Sequence, residues 1–118
     1  MEKMILVTEL SETTADFLSL QKGIKIFRSK GLLTHLIKRK HFVATKYLDY
    51  LSDIINSPDY AGTYKGQIEL VKRLKDNIFV SLKLDERKSI YYVTTLFDVK
   101  EAKIESYCKS GRLRKLTP

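Results

Sequence analysis

A chain of 118 residues with 43% hydrophobic and 31% charged side chains has apolar material for one packed core, which excludes a disordered chain and a second full domain. The formal net charge of +8 points to an anionic partner, while a single cysteine, Cys108, excludes an internal disulfide framework and argues against a cysteine-built zinc site. No apolar run is long enough to span a bilayer, and Met4–Val7 is too short for a secretory signal and too soon followed by Glu9 and Glu12; no membrane partner is expected and the cytoplasm is the default compartment.

In chain order, Met4–Leu10 reads as a short strand, Thr8–Thr14 as polar and turn-prone, and Phe17–Leu20 as ambiguous between helix and strand. Lys22-Gly23 interrupts the chain before Ile24–Phe27, whose alternation predicts a strand with Ile24 and Ile26 facing the core. Ser29 is placed to cap a helix running to about Lys40, with Leu32, Leu33, Leu36 and Ile37 as its buried stripe. A second helix follows, with Thr45 as cap and Tyr47, Leu48, Leu51, Ile54 and Ile55 as its stripe, until Asn56-Ser57-Pro58 stops it. Asp59–Gly62 reads as a loop and Gln67–Leu74 as a strand despite its charges.

The second half is sheet-like. Asp76-Asn77 makes a turn; Ile78–Leu84 alternates; Ile90–Phe97 is rich in β-branched and aromatic residues; and Asp85–Lys88 joins the last two into an antiparallel hairpin. Asp98 with Glu101 resembles a capping box for a last helix carrying Val99, Ala102, Ile104, Tyr107 and Cys108 on a rough apolar face, which Gly111 closes. Arg112–Leu116 adds an edge strand. The expected fold class is α+β, with N-terminal helices packed on one face of a C-terminal antiparallel β-sheet and the other face, or the crevice between, left for a ligand.

Charge is not spread evenly. From Phe17 to Leu48 there is no Asp or Glu, yet Lys22, Lys25, Arg28, Lys30, Lys38, Arg39, Lys40 and Lys46 all fall there, so this block holds the entire positive excess. Both histidines, His35 and His41, lie inside it. A local positive field around side chains that titrate near neutrality suits an anionic substrate and proton transfer, with RNA the leading candidate. His35 and Arg39, four residues apart, share one side of the predicted helix. The plainer alternative is a solvated basic face with two incidental histidines.

The run His35-Leu-Ile-Lys-Arg-Lys-His41, the segment Ile55–Tyr60, Glu69-Leu-Val-Lys-Arg73, the strand pair and Ser110-Gly-Arg-Leu113 resemble, in their order, the phage-associated nuclease domains of the barnase, EndoU, colicin and RelE (BECR) group of metal-independent RNases. The resemblance covers about residues 23–116, leaving 1–22 as an N-terminal extension of a nuclease-like domain over 23–118. It implies RNA bound on the sheet, tRNA among the candidates, and cleavage by the ribose 2′-hydroxyl with no cofactor and no metal ion. Carried over residue by residue, His35, His41, Arg39, Lys72, Arg73, Thr94, Thr95 and Arg112 form the candidate catalytic set, with His35 leading as acid or base. Lys30, Lys38, Lys40, Lys46, Arg114 and Lys115 are candidates for the RNA backbone, and Tyr91 and Tyr92 for stacking bases.

Each residue also has a plainer role. His41 at a helix end favours the dipole, Lys72 and Arg73 point to opposite strand faces, and Thr94 and Thr95 are good strand formers. The family resemblance further implies an inhibitory protein as partner, and virion association or delivery into a host cell as alternatives to the cytoplasm. The competing function classes are a non-catalytic RNA- or DNA-binding module and a virion or partner-interaction domain.

Overall fold

A computed structural model describes residues 3–116. The elements are β1 (Met4–Glu9), α1 (Glu12–Phe17), β2 (Lys25–Ser29), α2 (Leu32–Lys38), α3 (Phe42–Thr45), a 3-10 turn (Leu48–Tyr50), α4 (Leu51–Asn56), β3 (Tyr60–Tyr64), β4 (Gln67–Arg73), β5 (Asn77–Asp85), β6 (Ile90–Asp98), α5 (Glu101–Lys109) and β7 (Arg114–Lys115). The class is α+β. Its strands form one seven-stranded sheet in the order β1-β2-β6-β5-β4-β3-β7. No helix among the described residues is long and apolar enough to cross a membrane.

The hairpin of β5 and β6 is central, as its alternation predicts, with Val80 opposite Leu96 and Phe79 opposite Phe97. The expected purely antiparallel sheet is corrected: β2 pairs with β6 in parallel, Ile26 beside Tyr91 and Phe27 beside Tyr92, so the sheet is mixed. A parallel neighbour arises because β2 and β6 are far apart in sequence and joined by a crossover rather than a turn. β1 pairs with β2, and Leu10, Ala15 and Leu18 join the main core, so the segment before Gly23 packs in the same body as the rest. Asn56 ties it down: its amide nitrogen donates to Thr8 at 2.9 Å and its oxygen accepts from the Ser11 backbone at 3.1 Å.

Strand alternation divides the core in two. Ile68, Leu70, Ile78, Val80, Leu82, Val93 and Leu96 face a main core closed by Leu32, Leu36, Ala44, Leu51, Ile54 and Ile55 of α2 to α4. Burying each such aliphatic contributes about 2 kcal/mol. Tyr60, Val71 and Phe79 face the other way, against Ile104 of α5 with Val99 and Leu113. Helices therefore lie on both faces, α5 covering only part of the second.

Several local expectations are corrected. Glu12–Phe17 is a helix capped by the Ser11 side chain on Thr14 N, where a turn was expected, because Ser-Glu-Thr-Thr satisfies a first helical turn as readily as it does a loop. Asp59–Gly62 is not a loop; Tyr60 starts β3, a buried strand whose Gly62 disguises it. α2 begins after Gly31 rather than Ser29 and stops at Lys38, so Leu33 and Ile37, 44% and 50% exposed, fall outside the buried stripe. The second predicted helix, after Thr45, is broken into the 3-10 turn and α4, and α3 precedes it, ending at the expected cap. The cap of α5 is Lys100, with no side-chain hydrogen bond, while Asp98 remains in β6.

Candidate functional site

Strand register sorts the sheet face not covered by α1 to α4 into rows of side chains running across the strands. One row is Leu6, Phe27, Tyr92, Lys83, Gln67 and Tyr64; the next contains Thr95, Ser81, Glu69 and Gly62; the third is Phe97, Phe79, Val71 and Tyr60. The third row is covered by α5. The middle row is polar and borders the edge of that helix, which opens a pocket of about 270 Å³ lined by Tyr64, Lys65, Gln67, Glu69, Phe79, Ser81, Thr95, Phe97 and Arg112.

Arg112 enters this pocket through backbone geometry. Gly111, at a φ of +80°, ends α5 in the left-handed region, and the next carbonyl, that of Arg112, passes directly over Gly62, where a Cβ would collide with it. The guanidinium is then fixed on several sides. Its Nε donates to Glu69 Oε1 at 2.6 Å and its Nη2 to Oε2 at 2.7 Å, and its centre lies 3.8 Å from the Tyr64 ring and 4.1 Å from the Tyr107 ring. Glu69 is only 4% exposed. The fork to Glu69 pushes the Arg112 pKa above its ordinary value, against the opposing effect of burial. Nη1 takes no part in the fork and remains as a charged donor of fixed direction.

Beside this pair, Ser81 Oγ donates to Gln67 Oε1 and Thr94 Oγ1 donates to the Ser81 carbonyl at 3.0 Å. Thr95 Oγ1 is buried without a hydrogen-bond partner. A buried unpaired hydroxyl costs stability, and one at the wall of a pocket invites a ligand to pair with it. Next to it Phe97 stacks on Phe79 at 4.7 Å, and His41 lies against Phe97 with ring centroids 5.4 Å apart. His41 therefore sits one ring beyond the pocket wall, positioned by the end of α2: Lys40 adopts a φ of +60°, and the His41 and Lys40 amides donate back to Leu36 and Ile37.

Of the sequence-derived candidates, Thr95 and Arg112 meet in the pocket, with Thr94 bracing it and His41 behind Phe97 of its wall. His35 is in a neighbouring cavity with Thr94, Tyr92 and Lys88. Arg39 is exposed at the end of α2. Lys72 donates to the Ser57 carbonyl at 2.6 Å; Arg73 reaches Tyr60 at 2.7 Å and pairs with Glu101. Neither lines the pocket. Tyr91 packs against the main core, whereas Tyr92 is on the open face. Arg114 lies over the Phe17 ring and donates to the Phe17 carbonyl; Lys115 pairs in β7. Lys30, Lys38, Lys40 and Lys46 are exposed, and these two pockets take their cations from elsewhere, Lys88 in the one beside α2 and Lys65 and Arg112 in the other. Sequence reasoning missed Glu69, Ser81, Gln67 and Tyr64. A signal existed for the first: an acid between Ile68 and Leu70 in a predicted strand must be paired if the fold buries it.

A family model described as phage-Barnase-EndoU-ColicinE5/D-RelE like nuclease3 matches residues 5–106. No curated protein matches the chain. No solved structure matches it.

Proposed function

The chain belongs to this phage-associated nuclease family, and from that premise we propose that it is an endoribonuclease that cuts RNA by attack of the ribose 2′-hydroxyl, without a metal ion. The observation that carries the reading is the Arg112–Glu69 fork beside the unpaired Thr95 hydroxyl on the open sheet face. In the reaction a bond forms between O2′ and phosphorus, the bond from phosphorus to O5′ breaks, and one proton leaves O2′ while another reaches O5′. Arg112 Nη1 and Thr95 Oγ1 hold the nonbridging oxygens as charge builds on them. Glu69, an acceptor-only group next to Arg112, takes the O2′ proton through the lone pairs its fork leaves unused, and His41 protonates the leaving oxygen. The cation beside the phosphate is thus a guanidinium held in place before substrate arrives. RNA is the substrate, tRNA included; an inhibitory protein and a toxin role in a host cell accompany the reading.

The test is an RNA oligonucleotide with a single 2′-deoxy residue at the cleaved position, compared with its all-ribose form in chelator. Cleavage of the all-ribose strand alone is expected. Equal cleavage of both strands, or binding of both with no cleavage, would leave a nuclease of another mechanism or a binding module.

A further inference from the structure

Of the seven large hydrophobic side chains well exposed among the described residues, three fall within one short stretch: Leu33, Ile37 and Phe42, at 44%, 50% and 57%. Leu33 and Ile37 are four residues apart and share one side of α2, next to the side that Leu32 and Leu36 bury in the main core. Phe42 opens α3, which packs against α2 after the reversal at Lys40, where the Lys40 and His41 amides donate back to Ile37 and Leu36. Around them Lys30, Lys38, Arg39, Lys40 and Lys46 are exposed and take part in no ion pair among the described residues. Neither the three apolar residues nor these cations line the Arg112 pocket or the cavity beside α2. We infer that this basic, apolar-tipped surface of α2 and α3 is a docking site for an anionic lipid bilayer, with Leu33, Ile37 and Phe42 entering the interfacial region and the lysines meeting the headgroups.

Charge and side-chain type decide the occupant. From Phe17 to Leu48 there is no acid, so the surface attracts anionic partners of every kind, RNA included. RNA accounts for the cations but leaves the aliphatic Leu33 and Ile37 without a role, since phosphates and sugars take charged and hydrogen-bonding groups and bases stack on aromatic rings. A specific acidic protein fits less well. Protein interfaces deplete lysine and enrich arginine, whose planar fork pairs a carboxylate in a fixed direction, and here Arg39 stands among four lysines. Lysine is a point charge on a flexible apolar stem, which suits a diffuse field of headgroups while the stem stays against apolar material. Leu, Ile and Phe beside such lysines are the composition of elements that lie in a membrane interface. The lack of a spanning helix among the described residues bears on crossing a bilayer, not on lying against one. Both helices are short, so three side chains supply a shallow, reversible contact that depends on anionic lipid.

The test uses the intact protein with vesicles of phosphatidylcholine alone, or of phosphatidylcholine and phosphatidylglycerol in equal parts, read by co-sedimentation. Binding to the mixed vesicles is expected to be tighter on the order of tenfold or more. It should fall by a similar factor when Leu33→Gln, Ile37→Gln and Phe42→Gln are combined in a protein whose circular dichroism is unchanged, while RNA binding at low salt changes by less than about twofold. The chain has no tryptophan, so Phe42→Trp reports on its own surroundings. Its emission should move to the blue on mixed vesicles and stay in place with phosphatidylcholine alone or with polyglutamate in solution. Equal binding to both kinds of vesicle, or mixed-vesicle binding that survives the triple variant, would overturn the inference. An emission shift with polyglutamate as large as that with vesicles would give the surface to an acidic protein instead, and loss of RNA binding together with vesicle binding in the triple variant would give it to RNA. Neither readout involves cleavage, so the outcome is independent of the nuclease reading.

Discussion

At the residue scale, Arg112 is a cation whose freedom has been removed before any substrate arrives: two hydrogen bonds to Glu69 and two tyrosine faces leave it one orientation. Lysine keeps the charge but neither forks nor stacks, so Arg112→Lys is expected to lower kcat/KM on the order of a hundredfold or more while the fold persists, read by steady-state cleavage and circular dichroism. Thr95 separates function from stability. Its buried hydroxyl has no partner, so Thr95→Val should raise unfolding stability by about 1 kcal/mol and yet cut the cleavage rate on the order of tenfold or more. A loss of both stability and activity would mean that the hydroxyl is bonded within the fold. The histidines make a third test: His41→Ala is expected to lower the cleavage rate on the order of a hundredfold or more, and His35→Ala to lower it far less.

At the scale of elements, the site depends on two chain reversals. Gly62 lets the Arg112 carbonyl cross β3, and any side chain there displaces it. Gly62→Ala should therefore destabilise the protein by about 1–3 kcal/mol and misplace Arg112, with thermal unfolding and cleavage falling together. Lys40 holds the left-handed position at the end of α2 that glycine would hold without strain, so Lys40→Gly is expected to stabilise by about 1 kcal/mol and leave His41 against Phe97, as judged by denaturant unfolding. These same elements show what the chain makes legible. The hairpin of β5 and β6 was readable because Ile78, Val80 and Leu82 alternate with period two, and the left-handed Gly111 because glycine is rare after a helix for any other reason. β3 was not, since Ala61 and Gly62 are poor strand formers at its centre, and it owes its place to pairing on both sides with β4 and β7. Glu69 was hidden for a related reason: its partner stands forty-three residues later, and only the fold brings Arg112 across Gly62 to meet it.

For the whole molecule, one sheet face carries the main core and the other carries the polar row and the Arg112 pocket. The helices α1 to α4 close the first, and α5 covers part of the second, leaving the row from Glu69 to Thr95 along the wall of the Arg112 pocket. Lys38 and Lys40 of the acid-free block are exposed on and just after α2, while the pocket cations come from elsewhere, so the block would act through its field rather than by contact. Reversing both to Glu is expected to weaken RNA binding far more at low salt than at high salt in a filter or fluorescence titration; unchanged affinity at low salt would take the block out of recognition. The family accounts for a nuclease, and the arrangement around Arg112 for how it would act on RNA. The direct measurement is to incubate the purified protein with total RNA in excess chelator and analyse the ends of the products. Fragments ending in a 2′,3′-cyclic phosphate, formed far more slowly with Arg112→Lys, are the expected result. Intact RNA in chelator that is cut only when a divalent metal is restored, or ends without the cyclic phosphate, would contradict it.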